Sequence, residues 1–232
     1  FIRDIAYLRA NIVTVQFDHF KEFSFFLKKS KYVTIPNPIL QPKINIEKNY
    51  LNNYPITFVT FASQNPCKRI DLMIRMFRQI NMEHRNTELH IYGSISNNKN
   101  INELIATCKL EQNVILHAHT INIHEELLKH DIYLMTSSRE GFPNSLSEAM
   151  ALGKPTISFK CHDGLKELIR NGENGFLIED KKEDDFILTA INLIRDSSLR
   201  EKIGNEAKKS IERFEENKIF AIWDQLIEKF QK

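Results

Sequence analysis

Cysteine is scarce in this chain, and its placement excludes two kinds of architecture. Cys67, Cys108 and Cys161 stand far apart with no C-x-x-C pair. Neither a disulfide framework nor a cysteine zinc site fits, and free thiols in a reducing compartment are expected. No apolar run approaches the roughly eighteen residues of a membrane-spanning helix. No basic stripe stands out either, since 32 Lys plus Arg face 30 Asp plus Glu. The main electrostatic reason to expect nucleic acid as a partner is therefore missing. Internal repeats and low-complexity tracts are absent too. The chain opens at Phe1 with no initiator Met and no signal-peptide layout, and we expect it to be a piece of a longer protein. What remains is 232 residues, enough to bury a real core.

Apolar runs alternate with helical patterns. Strands are expected at Ile12–Gln16, Tyr32–Ile35, Ile56–Ala62, Leu89–Tyr92, Val114–His117, Ile132–Thr136, Thr156–Phe159 and Phe176–Ile178. The clearest helix follows Lys68, where Ile70, Met73, Ile74, Phe77 and Ile80 repeat at helical spacing. Others are expected near Asn102–Lys109, His124–Lys129, Ser145–Leu152 and Leu165–Arg170. Such alternation implies an α/β fold, a doubly wound and mostly parallel sheet with right-handed crossovers. Its ligands bind beyond the carboxyl ends of the strands, where the loops holding Lys68, Glu140 and Asp163 would all lie. From Asp184 onward three helices follow, about Asp184–Arg195, Leu199–Arg213 and Glu216–Phe230. The last carries Ile219, Phe220, Trp223, Ile227 and Phe230 on a mostly apolar face. A boundary is expected near residue 40, after Ile35-Pro-Asn-Pro38 and before a polar stretch that runs to Tyr54.

The most informative run is Ser138-Arg-Glu-Gly-Phe-Pro-Asn-Ser-Leu-Ser-Glu-Ala-Met-Ala-Leu-Gly-Lys-Pro155. Pro143 halts the chain, Asn144 suits an N-cap, and Ser145 opens a short helix. Gly153 takes the left-handed C′ position and Pro155 blocks continuation. Backbone N–H groups of Ser145, Leu146 and Ser147 then lack helical acceptors, and the helix dipole attracts an anion there. Glu140 and Glu148 would repel a bound phosphate, so they need neutral donors as partners. Hydroxyl pairs of a hexose or ribose supply them. A nucleotide carrying a sugar satisfies all of these groups together. Taken singly, each glutamate reads more often as a plain loop or helix charge; the surrounding pattern favours a site.

Glu-x7-Glu followed by Ala-Met-Ala-x-Gly-x-Pro, with Asp131-Ile-Tyr-Leu-Met-Thr-Ser137 before it, resembles the donor-binding half of a family 4 retaining glycosyltransferase of the GT-B fold. Val33-Thr-Ile-Pro-Asn37 is similar to that family's interdomain linker. Ser158-Phe-Lys-Cys-His-Asp-Gly-Leu-Lys-Glu-Leu-Ile169 and Asn171-Gly-Glu-Asn-Gly-Phe-Leu-Ile178 are similar to the segments after its Glu-x7-Glu helix. The Ser-Phe-x-Cys form is similar to bacterial enzymes that build surface polysaccharides, lipopolysaccharide or protein-linked glycans.

The resemblance implies a role for each matching residue. Glu140 would contact donor-sugar hydroxyls and Glu148 would hold the ribose diol. Gly141, Phe142 and Pro143 match the turn whose backbone lies against the sugar, and Ser145 and Leu146 the amides facing the diphosphate. Lys68 matches the cation that neutralises the leaving diphosphate, so Glu140 and Lys68 form the expected catalytic pair. A fixed cation and helix amides do stabilise charge that builds on a leaving phosphate. Arg69 is a candidate helper, with a solvated helix-start charge as its alternative. Glu167 matches a glutamate opening the next helix, with capping as its alternative. Three positions depart from the family pattern. Ala62-Ser63 replaces the usual Gly-Arg, leaving Ser63 a hydroxyl where a second cation is customary. Asp163-Gly164 replaces a Gly pair, and Ala118 stands where Gly is common.

By the same resemblance the donor is a nucleoside diphosphate sugar, uridine diphosphate being the expected carrier, and the acceptor a glycan or lipid-linked glycan. No cofactor or metal is expected, in keeping with the absence of Asp-x-Asp. Residues 1–40 would be the remnant of the N-terminal acceptor domain with its linker, and residues 41–232 the nucleotide-sugar domain. The last helix would reach back toward the N-terminal domain and leave apolar surface exposed. The expected location is the cytoplasm, extending to the inner face of the membrane. Two rivals stand beside this reading, a nucleotide-sugar-binding module without catalysis and a UDP-sugar epimerase of related fold. His117-x-His119 and the adjacent Cys161-His162 invite metal and nucleophile readings. Without a third ligand nearby, and with neighbouring side chains pointing apart, a structural or loop role for the histidines and a half-buried, inert thiol are expected.

Overall fold

The computed structural model describes residues 7, 9–22, 31–40 and 55–230. Six parallel strands form the main sheet: β3 (Ile56–Phe61), β4 (Thr87–Tyr92), β5 (Val114–His117), β6 (Ile132–Met135), β7 (Thr156–Lys160) and β8 (Phe176–Glu179). Their order is β5-β4-β3-β6-β7-β8, so the sheet grows one way from β3 and then the other from β6. A separate two-stranded parallel sheet joins β1 (Val13–Val15) to β2 (Tyr32–Thr34), with Val13 opposite Tyr32. Every strand expected from the sequence is present, with ends shifted by one or two residues at most.

Alternation along the strands splits the core into two layers. Phe58, Leu89, Ile91, Leu134, Ile157 and Phe159 face one side. They meet α1 (Ile70–Glu83), α2 (Lys99–Thr107) and α5 (Glu183–Arg195). The stripe Ile70, Met73, Ile74, Phe77 and Ile80 is fully buried, as its spacing predicts. Each such side chain contributes roughly 1.5–3 kcal/mol by leaving water. Val59, Tyr133, Met135 and Leu165 face the other side. There they meet α3 (Ile123–Leu128), α4 (Asn144–Ala151) and α6 (Ser197–Ile211). Phe17, Ile35 and Ile39 join this second layer and tie the first segment to the main body.

Gly153 ends α4 at φ 71°, as expected of a left-handed C′ residue. Its carbonyl lies against Gly204 of α6, where a Cβ would come within 2.1 Å. The last helix, α7 (Glu216–Glu228), buries Ile219 and leaves Phe220, Ile222, Trp223 and Ile227 exposed. No helix of the described residues is long and apolar enough to cross a membrane. The polar stretch at 41–54 lies outside the described residues.

One expected helix is different. In place of Leu165–Arg170 there is a single 3-10 turn, Asp163–Glu167. Gly164 packs against Phe17 and has no room for a Cβ, which bends the chain early. Asn174 then intercepts the backbone, accepting from the Arg170 N–H at 2.7 Å and donating to the Leu168 carbonyl at 3.0 Å. Glu167 consequently closes this turn rather than opening a helix, and its carboxylate accepts from the His19 N–H.

Candidate functional site

The strand order reverses between β3 and β6. The crevice beyond the carboxyl ends at such a reversal is where open α/β sheets bind ligands. After β3 the chain enters a short 3-10 turn at Pro66–Lys68, capped by the Asn65 carboxamide, which accepts from the Cys67 N–H at 3.0 Å. After β6, Thr136 Oγ1 donates to the Lys68 carbonyl and the Ser138 N–H to the Cys67 carbonyl, each at 2.8 Å. The two loops are thereby stitched together across the reversal. On that frame Lys68 Nζ meets Glu140 Oε1 at 2.7 Å, although 72 residues separate them in the chain. Both side chains are half-buried, so the pair is shielded yet reachable.

Arg69 is not a free solvated charge, since its side chain is largely engaged within the protein. Its backbone is left-handed at φ 49°. Its guanidinium donates to the carbonyls of Thr136 and Ser137, pairs with Asp180 at 2.6 Å and lies over the Phe159 ring. It is a clamp on the end of β6.

The turn after Glu140 is held from behind. Phe142 is buried, stacked on Phe17 with ring centroids 5.1 Å apart and edge-on to Phe214. Gly141 is exposed, with the Gln16 carboxamide over it. Pro143, not Asn144, takes the N-cap position of α4. Asn144 is the first helical residue, and its oxygen accepts from Asn37 Nδ2 at 2.8 Å instead of from the helix. With no side-chain cap, the first helical hydrogen bond runs from the Ser147 N–H to the Pro143 carbonyl. Amides at 144–146 therefore point out of the helix end, as required for an anion. Ser145 Oγ is tied to Tyr133 Oη at 2.7 Å, and Leu146 is fully buried, so both present backbone rather than side chain.

Glu148 sits one turn further in. Its Oε2 is buried without any hydrogen-bond partner. Burial pushes its carboxyl above the ordinary carboxylate range, with His124 partly opposing. A buried acceptor left bare costs about 1–3 kcal/mol unless a donor reaches it. A ligand hydroxyl is one such donor.

The departures have plain structural consequences. Ala62 is buried, and its carbonyl sits where a Cβ of Gly93 would fall (φ 138°), so two backbones touch there. Ser63 is exposed beside this contact, accepting only from the Asn65 N–H at 3.4 Å. Asp163 caps no helix. It pairs with Lys166 at 2.9 Å and Lys160 at 3.6 Å, and these cations hold it below its usual range. Its negative charge is thus answered within the protein.

Cys161 is half-buried and its thiol is pushed up to about 11, chiefly by burial, which fits an inert thiol. His162 has both ring nitrogens buried without hydrogen bonds, inside a cage of Phe17, His19 and Phe20. Burial holds it below the ordinary imidazole range, with Gly141 and Glu140 opposing. His117 stacks on Tyr92 and shares a 2.9 Å contact with His90 Nδ1, while His119 is exposed past the strand end. Among the described residues no cluster of three or more His, Cys, Asp or Glu side chains could hold a metal ion. Spacing gave no hint of His90, of the Thr136 stitch or of the Asn37 contact, because each joins distant segments.

Known proteins of similar sequence and fold establish the family. The poly(ribitol-phosphate) α-N-acetylglucosaminyltransferase of Staphylococcus aureus is 30% identical over 68% of this chain and 32% of its own length. The poly(glycerol-phosphate) α-glucosyltransferase of Bacillus subtilis is 31% identical over 67% of this chain and 24% of its own length. The chain thus spans about a third or less of these curated relatives. A solved structure of Anabaena Alr3699/HepE in complex with UDP and glucose superposes with a TM-score of 0.84 at 19% identity, over 98% of this chain and 65% of that one. The sheet order and flanking helices are those of the Rossmann-like domain of a GT-B glycosyltransferase. The family model for glycosyl transferases group 1 matches residues 43–210, which include both strands of the reversal, Lys68, Glu140 and Glu148, and the chain belongs to that family.

Proposed function

We propose that the full-length protein transfers a hexosyl or N-acetylhexosaminyl group from a nucleoside diphosphate sugar, with UDP as carrier, to a glycan or lipid-linked acceptor, retaining configuration at the anomeric carbon. The observation that carries this reading is Glu148 Oε2, buried and bare one turn inside the helix whose open amides adjoin the Lys68–Glu140 pair. A ribose diol supplies the donors that Glu148 lacks, and sugar hydroxyls supply those for Glu140. The diphosphate then lies between them, against the helix amides and Lys68. In the reaction the bond from anomeric carbon to phosphate oxygen breaks and the diphosphate leaves with the electron pair. The acceptor hydroxyl forms the new bond and passes its proton to the departing diphosphate. Lys68 and the amides stabilise the leaving charge without a metal.

Residues 1–40 are assigned to the acceptor domain and its linker, and residues 41–232 to the donor domain. The apolar face of α7 is assigned to contact with the remainder of the protein, and its site of action to the cytoplasm and inner membrane face. The names of the two curated relatives and the UDP bound to the Anabaena protein support the donor class. A second reading, a donor-binding module without turnover, is favoured by Ser63 standing where a second cation is customary. Sugar release from UDP-sugars by the full-length protein tests both. Release that Lys68→Ala and Glu140→Ala strongly reduce is the expected outcome. Equal turnover in the variants contradicts the enzyme reading, and tight binding without any release favours the second.

A further inference from the structure

Three carboxamides form a chain across the molecule. Gln16, just past β1, donates from Nε2 to Asn37 Oδ1 at 2.7 Å. Asn37, in the linker after β2, donates from Nδ2 to Asn144 Oδ1 at 2.8 Å. Asn144 is the first residue of α4, the helix proposed to receive the diphosphate. Gln16 also lies over Gly141, its Oε1 2.9 Å from where a Cβ would stand. The relay therefore touches both the turn and the helix start of the donor site, and it begins and ends in segments far apart in sequence.

Its chemistry bears on the helix amides. An asparagine side chain in a first helical turn competes for nearby backbone N–H groups, because its oxygen reaches its own or neighbouring amides. Such a bond would occupy the donors a phosphate needs. Here Asn37 holds the Asn144 oxygen away from the helix, and α4 has no side-chain cap. Gln16 in turn fixes which end of the Asn37 amide faces Asn144, since its own N–H group takes the Asn37 oxygen.

We propose that Asn37, oriented by Gln16, is a positioning residue that keeps the amides of Ser145 and Leu146 open for the donor diphosphate by holding the Asn144 side chain off the helix end. This rests on the donor-site reading above. Because the relay starts at β1 and passes through the linker, a shift of either segment would alter donor affinity through the same contact.

The test uses the whole chain and two readouts. In UDP titrations, Asn37→Ala is expected to weaken binding about three- to tenfold, the cost of a competing hydrogen bond. Adding Asn144→Ala to that variant removes the competing carboxamide and is expected to restore most of the affinity. A merely structural role for Asn37 would not be rescued in this way. Unchanged affinity in Asn37→Ala, or no recovery in the double variant, overturns the proposal. The second readout needs no nucleotide. Amide hydrogen exchange at Ser145 and Leu146 is expected to slow in Asn37→Ala and return in the double variant. If the parent binds no UDP, the donor reading fails, and exchange that stays unchanged still overturns the relay separately.

Discussion

Two glutamates on consecutive helices meet opposite fates. Glu126, on α3, accepts from Lys129 Nζ at 2.8 Å and Tyr92 Oη at 2.7 Å, and these bonds hold its carboxyl below the ordinary range. Glu148, on α4, keeps a buried oxygen with no partner, and burial holds its carboxyl above that range. Around Glu126, Tyr92 Oη also meets His130 Nε2 at 3.2 Å, and His90 Nδ1 meets His117 Nε2 at 2.9 Å. Around Glu148 the fold provides the open start of α4 but no donor for the buried oxygen of the acid. A carboxylate that the chain satisfies belongs to structure, whereas one left bare at a sheet reversal is arranged for something outside the chain.

The largest effect expected from breaking this contrast is on catalysis. Lys68→Ala in the full-length protein should slow sugar release by about 10²–10³-fold, the usual loss when one fixed stabiliser of a leaving charge is removed. Glu126→Gln should leave that rate within a factor of two or so, since its partners are Tyr92 and Lys129 rather than any residue assigned to the donor. Single-turnover assays with a UDP-sugar distinguish the two.

Stability should move in opposite directions at the same two positions. Because the folded state raises the Glu148 carboxyl, the folded chain binds more protons than the unfolded one just above the ordinary carboxylate range. Its contribution to stability therefore falls as pH rises through that window, and the ionised acid costs stability at neutral pH. Glu148→Gln is expected to raise Tm by about 2–4 °C, and Glu126→Ala to lower it by a similar amount. Thermal melts at neutral pH check both signs.

A smaller effect concerns His162. Its proton affinity is lowered by burial, so below the ordinary imidazole value of 6.5 the unfolded chain takes up the proton first. Stability tied to this ring is complete above that value and is lost as pH falls below it. Melting curves between about pH 7 and 5 should show His162→Gln losing about one to two degrees less than the parent. The least change is expected at Cys161. Its thiol at about 11 should stay unalkylated by iodoacetamide at neutral pH under conditions that alkylate free cysteine.

Much of the fold was legible in the amino-acid order, whereas the pairing of Glu126 was not. The stripe from Ile70 to Ile80 and the apolar runs of the strands obey local periodicity, so the doubly wound sheet followed from them. Its parallel order then carried Lys68 and Glu140 to one edge. Residue roles set by packing between distant segments were not legible. Asn144 has the composition of an N-cap, yet Asn37 draws its side chain aside. Leu165–Arg170 has helical spacing, yet Gly164 against Phe17 and the Asn174 amide end the turn early. Arg69 reads as a helper at the diphosphate or a solvated charge until the Thr136 carbonyl, Asp180 and Phe159 are placed around it. Carboxamides such as Gln16 and Asn37 follow no period at all, and only the folded chain aligns them.

Calorimetric titration of UDP into the protein, beside its Glu148→Ala and Glu126→Gln variants, shows whether the bare Glu148 oxygen receives a nucleotide. Saturable heat in the parent and in Glu126→Gln, with affinity about ten- to a hundredfold weaker in Glu148→Ala, is the predicted result, given that a hydrogen bond to a charged group is worth about 1.5–3 kcal/mol. No saturable heat in the parent, or Glu148→Ala binding as the parent does, would contradict the account.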